Sequence, residues 1–360
     1  MKGHHSIFSL AITLLSVVAK AQDAKSLELP FTDAFTHGEV DVEVGSSGQQ
    51  FKLLFDPGSS NTWVGARKKY EESSTSTKTS NAVSVAYGSG HFSGLEYMDL
   101  LTLVGVSINQ SIGVATSSEG FTVVDGLLGL GPTSLTKGTL IPNADEQIPT
   151  VIDNLVNQGY VQDSIITINN QSIVFGAPPS SADGATYVPI TQTAPASNFW
   201  GVDASFSYGA NTVSPPTFGI VDHGSTLTLL TSSSFSKFLT ETGSKVDDST
   251  GLPMLASCGG LDPIILSLGQ ENITIPVEQY RWPAELNNDI GGNGDNCYLG
   301  IGDLGSDFDN LHSGPATQFR PSSFIMAAKG DNVNFILGFN TLKHFTVILD
   351  GDNSRIGIKA

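Results

Sequence analysis

Apolar and polar residues alternate along this chain in short spans. Residues 40–44 run apolar–acidic–apolar, the period of two expected of a strand with one buried face, and 51–55 follow after the turn Gly45-Ser-Ser-Gly48. The same signal marks 83–87, 100–104, 165–168 and 173–175, then 264–268 and 273–275 in the second half. Only two stretches read as helices. Residues 149–158 open on proline, carry Val151, Ile152, Leu155 and Val156, and stop at Gly159. Residues 232–240 offer a serine cap and set Phe235, Phe238 and Leu239 on one face. The Ser/Thr-rich stretch 69–81 reads as a solvated loop, and 178–184 reads as a linker between domains. The pattern predicts a mainly β protein with few short helices.

An internal repeat organises these elements. In each half an apolar strand (51–55; 218–221) runs into Asp-x-Gly-Ser, with a threonine shortly after and then an apolar run. A second matched element lies well downstream, Leu127-Leu-Gly129 in one half and Ile336-Leu-Gly338 in the other. Two copies of one fold about an approximate two-fold axis account for both.

Taken singly, Asp56-Pro-Gly-Ser59 and Asp222-His-Gly-Ser225 are ordinary turns, in which Asp accepts local amide hydrogen bonds and Gly takes a positive φ. At equivalent places in duplicated halves they acquire another meaning, because the axis sets the two carboxylates face to face. Such a pair cannot fully ionise and titrates as a unit. One member activates a water; the other polarises a carbonyl and then protonates the leaving nitrogen. Ser59 and Ser225 are placed to bond the outer carboxylate oxygens, and Gly58 and Gly224 to offer backbone amides.

Composition narrows the setting. Lys2, His4 and His5 precede an apolar run over 7–18 and the small residues around Ala19 and Ala21, so 1–21 reads as a secretory signal and the protein as secreted and extracellular. The 339 residues that remain exceed what one core usually holds, which predicts two domains. A formal charge of −18, with only 17 Lys plus Arg, argues against nucleic acid or an anionic membrane as a partner. Two cysteines, Cys258 and Cys297, form one disulfide or remain as two buried thiols. Asn109, Asn170 and Asn272 head glycosylation triplets. Seven scattered histidines and the absence of His-Glu-x-x-His, Cys-x-x-Cys, Gly-x-Ser-x-Gly and P-loop motifs give no support to a metal, a cofactor or other hydrolase chemistry.

Five segments, in order and spacing, resemble the pepsin-like aspartic proteases, and within them the basidiomycete polyporopepsin type. They are Phe55-Asp-Pro-Gly-Ser-Ser-Asn-Thr-Trp-Val-Gly65, Tyr87-Gly-Ser-Gly-His-Phe-Ser-Gly94, Gly126-Leu-Leu-Gly-Leu-Gly131, Ile220-Val-Asp-His-Gly-Ser-Thr-Leu-Thr-Leu229 and Phe335-Ile-Leu-Gly338. The resemblance implies a bilobal all-β fold of two pseudo-two-fold-related lobes with a central cleft. Residues 37–184 would form the N-terminal lobe and 185–360 the C-terminal lobe, with 22–36 as a short leading segment. It implies a monomeric endopeptidase acting on extended peptides or unfolded proteins. It assigns catalysis to Asp56 and Asp222, and substrate binding to Tyr87, Gly88 and Ser89 of a flap with Gly58, Gly224 and Ser225. Ser59 and Trp63 take supporting roles, and Cys258 and Cys297 pair.

Two features depart from the family. The middle residue of each catalytic loop is normally a threonine whose hydroxyl reaches the opposite loop; here Pro57 and His223 stand instead. Proline has neither hydroxyl nor amide hydrogen. His223 has two readings. A ring protonated in acid would favour ionised carboxylates; otherwise the ring turns into solvent or a polar pocket. The second departure is at the start: the family's first mature strand corresponds to 40–44, leaving 22–36 with a single basic residue, Lys25, where relatives carry a longer basic prosegment. These departures define the alternative, a catalytically impaired relative that binds peptides or proteins in the cleft.

Overall fold

A computed structural model describes residues 26–88, 90–305 and 333–360. The expected signal 1–21 and flap residue Ser89 lie outside the described residues. The rest is built largely of strands in four sheets.

The repeat seen in the sequence is a repeat of topology. In the first half, the strand Gln49–Asp56 pairs in parallel with Gly126–Gly129, which in turn pairs antiparallel with Trp63–Val64. In the second half, Asn211–Val221 pairs in parallel with Phe335–Leu337, itself antiparallel to Thr228–Leu230. Trp63–Val64 and Thr228–Leu230 each gain a further parallel neighbour, Val106–Glu119 and Ile301–Asp303. The same crossing of strands therefore leads each of these strands into its Asp-x-Gly-Ser loop. The paired segments are almost wholly apolar and buried on both faces, as parallel strands require.

These crossings belong to a nine-stranded sheet and a seven-stranded sheet, one in each half. A six-stranded sheet takes strands from both halves: Ser26–Pro30, Ile165–Ile168, Ser172–Gly176 and Thr186–Pro189 with Thr346–Asp350 and Arg355–Lys359. The strand Ser26–Pro30 corrects one expectation. The chain enters the body well before 40–44, pairing from Ser26 with Ser172–Gly176 and burying Leu29.

The strand and helix expectations hold with small shifts. The span read as 100–104 is the end of Gly90–Leu103, and Val104 turns the hairpin at a φ of 48°. The first helix is Val151–Asn157, where the Asp153 carboxylate accepts the Thr150 amide proton at 2.8 Å. The second, Ser232–Thr242, is capped by the Thr231 hydroxyl rather than by a serine and stops at Gly243.

The solvated loop expected at 69–81 is also corrected. Thr77–Tyr87 is a strand, and the residues before it wrap around the fully buried Asp99. Its Oδ1 accepts from the Thr75 hydroxyl at 2.6 Å and the Leu100 amide at 2.8 Å. Its Oδ2 accepts from the Tyr70 and Ser76 hydroxyls at 2.6 and 2.8 Å. A buried carboxylate satisfied by four donors organises a segment that composition alone reads as mobile. Asp99→Ala strands those donors and is expected to cost about 2 kcal/mol or more. Limited proteolysis should then cut within 70–76 before any other site.

Candidate active site

Phe51, Leu53 and Phe55 anchor the strand Gln49–Asp56 in the main core, while Leu54 packs on the opposite side with Trp63, Tyr87 and Phe92. Asp56 closes this strand and is buried; its carbonyl accepts the Leu130 amide at 2.8 Å. Asp222 follows the partner strand, is equally buried, and donates its amide to the Leu337 carbonyl at 3.0 Å.

Each aspartate lies in the same cradle, and neither Gly58 nor Gly224 takes the positive φ expected of such a turn; what glycine supplies at both is room for the facing carboxyl. Asp56 Oδ1 accepts from the Gly58 amide at 2.8 Å, and its Oδ2 from the Ser59 hydroxyl. Asp222 Oδ1 accepts from the Gly224 amide at 2.8 Å, and its Oδ2 from the Ser225 hydroxyl at 2.6 Å. The cradles face one another across the two halves. A Cβ on Gly58 would lie 2.6 Å from Asp222 Oδ1, and one on Gly224 would come closer still to Asp56 Oδ1. Any side chain at either position would occupy the space that lets the carboxyls meet. Two hydrogen bonds join the halves nearby, from Thr226 Oγ1 to the Thr36 carbonyl (2.8 Å) and from Trp200 Nε1 to the Leu130 carbonyl (2.9 Å).

Burial, then repulsion from Asp222 and a hydrogen bond to its carboxyl, push Asp56 well above the usual carboxylate range. Ser59 and Gly58 pull the other way without cancelling this. The pair therefore retains a proton where a solvated aspartate has lost its own.

Tyr87 closes the strand Thr77–Tyr87, and its hydroxyl accepts from Trp63 Nε1 at 2.8 Å. Burial first, with the Asp56 charge adding to it, keeps the phenol neutral. Trp63 is itself clamped, stacked on Phe92 at 4.3 Å and edge-on to Phe121 at 4.7 Å. Gly88 is exposed at the hairpin tip, where Tyr87 pairs with Gly90. Ser225, grouped by the resemblance with substrate-binding residues, is fully buried with its hydroxyl on Asp222, so its placement matches that of Ser59. Cys258 and Cys297 form a disulfide remote in sequence from both loops.

His223 contradicts one of the two readings made from the sequence and confines the other to strong acid. It faces neither solvent nor a polar pocket: the ring is fully buried, 5.8 Å from the Phe55 ring and 6.3 Å from that of Phe339. Neither ring nitrogen has a hydrogen-bond partner among the described residues. Burial pulls its pKa down to about 3, so no cation stands beside the dyad in mild acid. Sequence reasoning missed Phe92, Phe121 and Phe339; an aromatic near a motif is the only signal, and many aromatics share it. Among the described residues no cluster of His, Cys, Asp or Glu could hold a metal ion, and no helix is long and apolar enough to cross a membrane.

Comparison with known proteins agrees with this geometry. The eukaryotic aspartyl protease family model matches residues 39–360. Polyporopepsin of Irpex lacteus is 40% identical over 346 residues, spanning 92% of this chain and 96% of the relative. Rhizopuspepsin-1 of Rhizopus niveus is 30% identical over 298 residues, covering 74% of each. The crystal structure of an aspartic proteinase from Irpex lacteus superimposes with a TM-score of 0.84 at 39% identity, covering 93% of this chain and 97% of that one. The impaired-relative alternative gains nothing from these matches. With its duplicated strand crossings, the chain belongs to the pepsin-like family of eukaryotic aspartyl proteases and is an aspartic-type endopeptidase.

Proposed function

We propose that this protein is a secreted acid endopeptidase in which Asp56 and Asp222 share one proton and hydrolyse peptide bonds without a metal. The observation that carries this reading is the pair of matching, facing carboxyl cradles, each with an amide on Oδ1 and a serine hydroxyl on Oδ2. The ionised member takes a proton from water as the oxygen attacks the peptide carbonyl carbon. The protonated member gives its proton to the carbonyl oxygen, producing a neutral tetrahedral diol. Collapse of the diol returns a proton to the dyad and delivers one to the leaving nitrogen. Metal-free hydrolysis of this kind needs a held proton, which the raised Asp56 supplies.

Tyr87, Gly88 and Ser89 are the flap residues of this reading, with Trp63 holding Tyr87. Gly58 and Gly224 border the substrate at the dyad. The lobes are 37–184 and 185–360, the protein works as a monomer on extended peptides or unfolded proteins, and 1–21 directs secretion. Glycosylation fits the exposed Asn109, Asn170 and Asn272.

The test is cleavage of an unfolded protein substrate from pH 2 to 7, with and without a statine-type transition-state mimic. The expected result is acid-dependent cleavage abolished by the mimic; no inhibitor-sensitive cleavage at any pH would sink the reading.

A further inference from the structure

The hydroxyl lock between the catalytic loops is missing here, yet the loops meet closely. What occupies its place is a group of rings drawn from both halves. Phe31 and Phe55 come from the first half, with centroids 5.0 Å apart; His223 and Phe339 come from the second. Phe55 contacts both, at 5.8 Å to His223 and 6.4 Å to Phe339. Phe55, His223 and Phe339 are all fully buried.

The sequence neighbours of these rings are the reacting groups. Phe55 immediately precedes Asp56. His223 lies between Asp222, which carries one carboxyl, and Gly224, whose backbone grazes the other. Phe339 donates its amide to the Ser225 carbonyl at 2.6 Å, closing the loop that holds Asp222. The Phe55 ring has no slack on its other side, because it fills the space where a Cβ on Gly38 would stand. A shift of the His223 ring must therefore move Asp222 or Gly224.

We infer that His223 is a positioning residue, a ring contributed by the second catalytic loop and packed between Phe55 and Phe339, which sets Asp222 against Asp56 by apolar contact where relatives use a hydroxyl lock. The role requires a neutral imidazole, since both nitrogens lie without partners among aromatic rings. The titratable and charged groups on the elements around it include Asp222 of its own loop, Lys52 and Asp56 on the strand of Phe55, Asp33 and His37 of the 31–38 segment, and His344 after the short helix that begins at Phe339. Lys343 adds an ammonium 5.5 Å over the outer side of Phe339, paired to Asp33 at 3.2 Å. Burial is the cause that depresses the imidazole, to about 3. Protonation at lower pH would place a cation in this cluster and force the loop apart.

The inference rests on the dyad reading above, and the experiment separates the two. Steady-state kinetics from pH 2 to 6 and thermal melts are compared for the full chain and its His223→Ala, His223→Phe and Asp222→Asn variants. His223→Ala should lower kcat by about 10²-fold with little change in KM, as expected for a reacting group misplaced by roughly an ångström. His223→Phe should recover most of that loss, melt higher than the parent, and hold its activity further into acid than the parent. A folded His223→Ala with parental kcat beside an inert Asp222→Asn overturns the inference, as does a His223→Phe as slow as His223→Ala or one with an unshifted acid limb. Should His223→Ala not fold, His223→Phe decides alone by the same criteria. Cleavage that survives in Asp222→Asn instead overturns the dyad reading.

Discussion

Asp56→Asn, and separately Asp222→Asn, should lower kcat by at least about 10³-fold while leaving the protein folded. Asparagine keeps the size of the carboxyl and one carbonyl oxygen, so the Gly58 or Gly224 amide retains its acceptor at Oδ1. The serine hydroxyl on the other side can turn to accept from the new amide group. What is lost is the ability to take a proton from water and pass it on. The buried pair is also relieved of the repulsion that contributes to raising Asp56, so the melting temperature should stay level or rise. Inactivity together with undiminished thermal stability distinguishes a lost proton carrier from a damaged fold. Substantial kcat in either variant would remove that aspartate from the chemistry.

Stability should fall as pH rises toward neutrality, and Glu96 is one identifiable cause. It lies inside the strand Gly90–Leu103 at 2% exposure, with the Ser111 hydroxyl donating to Oε1 at 2.5 Å and no partner on Oε2 among the described residues. Burial, with a smaller contribution from Glu146, raises its pKa to about 7. The folded state thus holds a proton that the unfolded chain releases near pH 4.3. The native state binds more protons, so stability is complete below that value and declines as pH rises through about 7. The loss amounts to roughly 3 to 4 kcal/mol. Glu96→Gln removes the titration and should match the parent at pH 4, yet melt several degrees higher at pH 7 to 8. Parallel melting curves across that range would exclude Glu96 as the cause.

Much of the site was legible because duplication makes a weak signal strong. Either Asp-x-Gly-Ser loop alone is a turn, but two at equivalent points of a repeated strand pattern predict the facing cradles that the strand crossings build. Strands with one wet face were equally plain, since alternation survives in any local window. The long strand Val106–Glu119 was not anticipated because serine, asparagine and threonine dominate it. Its place depends on pairing with Gly90–Leu103 and Trp63–Val64, which no local pattern encodes. The stretch before Thr77 failed for a related reason: a polar composition does not show that one buried carboxylate, Asp99, will collect its hydroxyls.

The sequence by itself determined the mainly β character, the duplication, the two candidate carboxyls and the absence of the usual threonines, because each is a matter of residue type and spacing. Tertiary structure alone decided what replaces those threonines. Whether a histidine beside an aspartate is a cation, a solvated ring or an apolar wedge depends on its dielectric surroundings, and these are set by Phe55 and Phe339, residues more than a hundred positions away from it. The upward shift of Asp56 has the same origin, since burial and the approach of Asp222 exist only once the halves have closed.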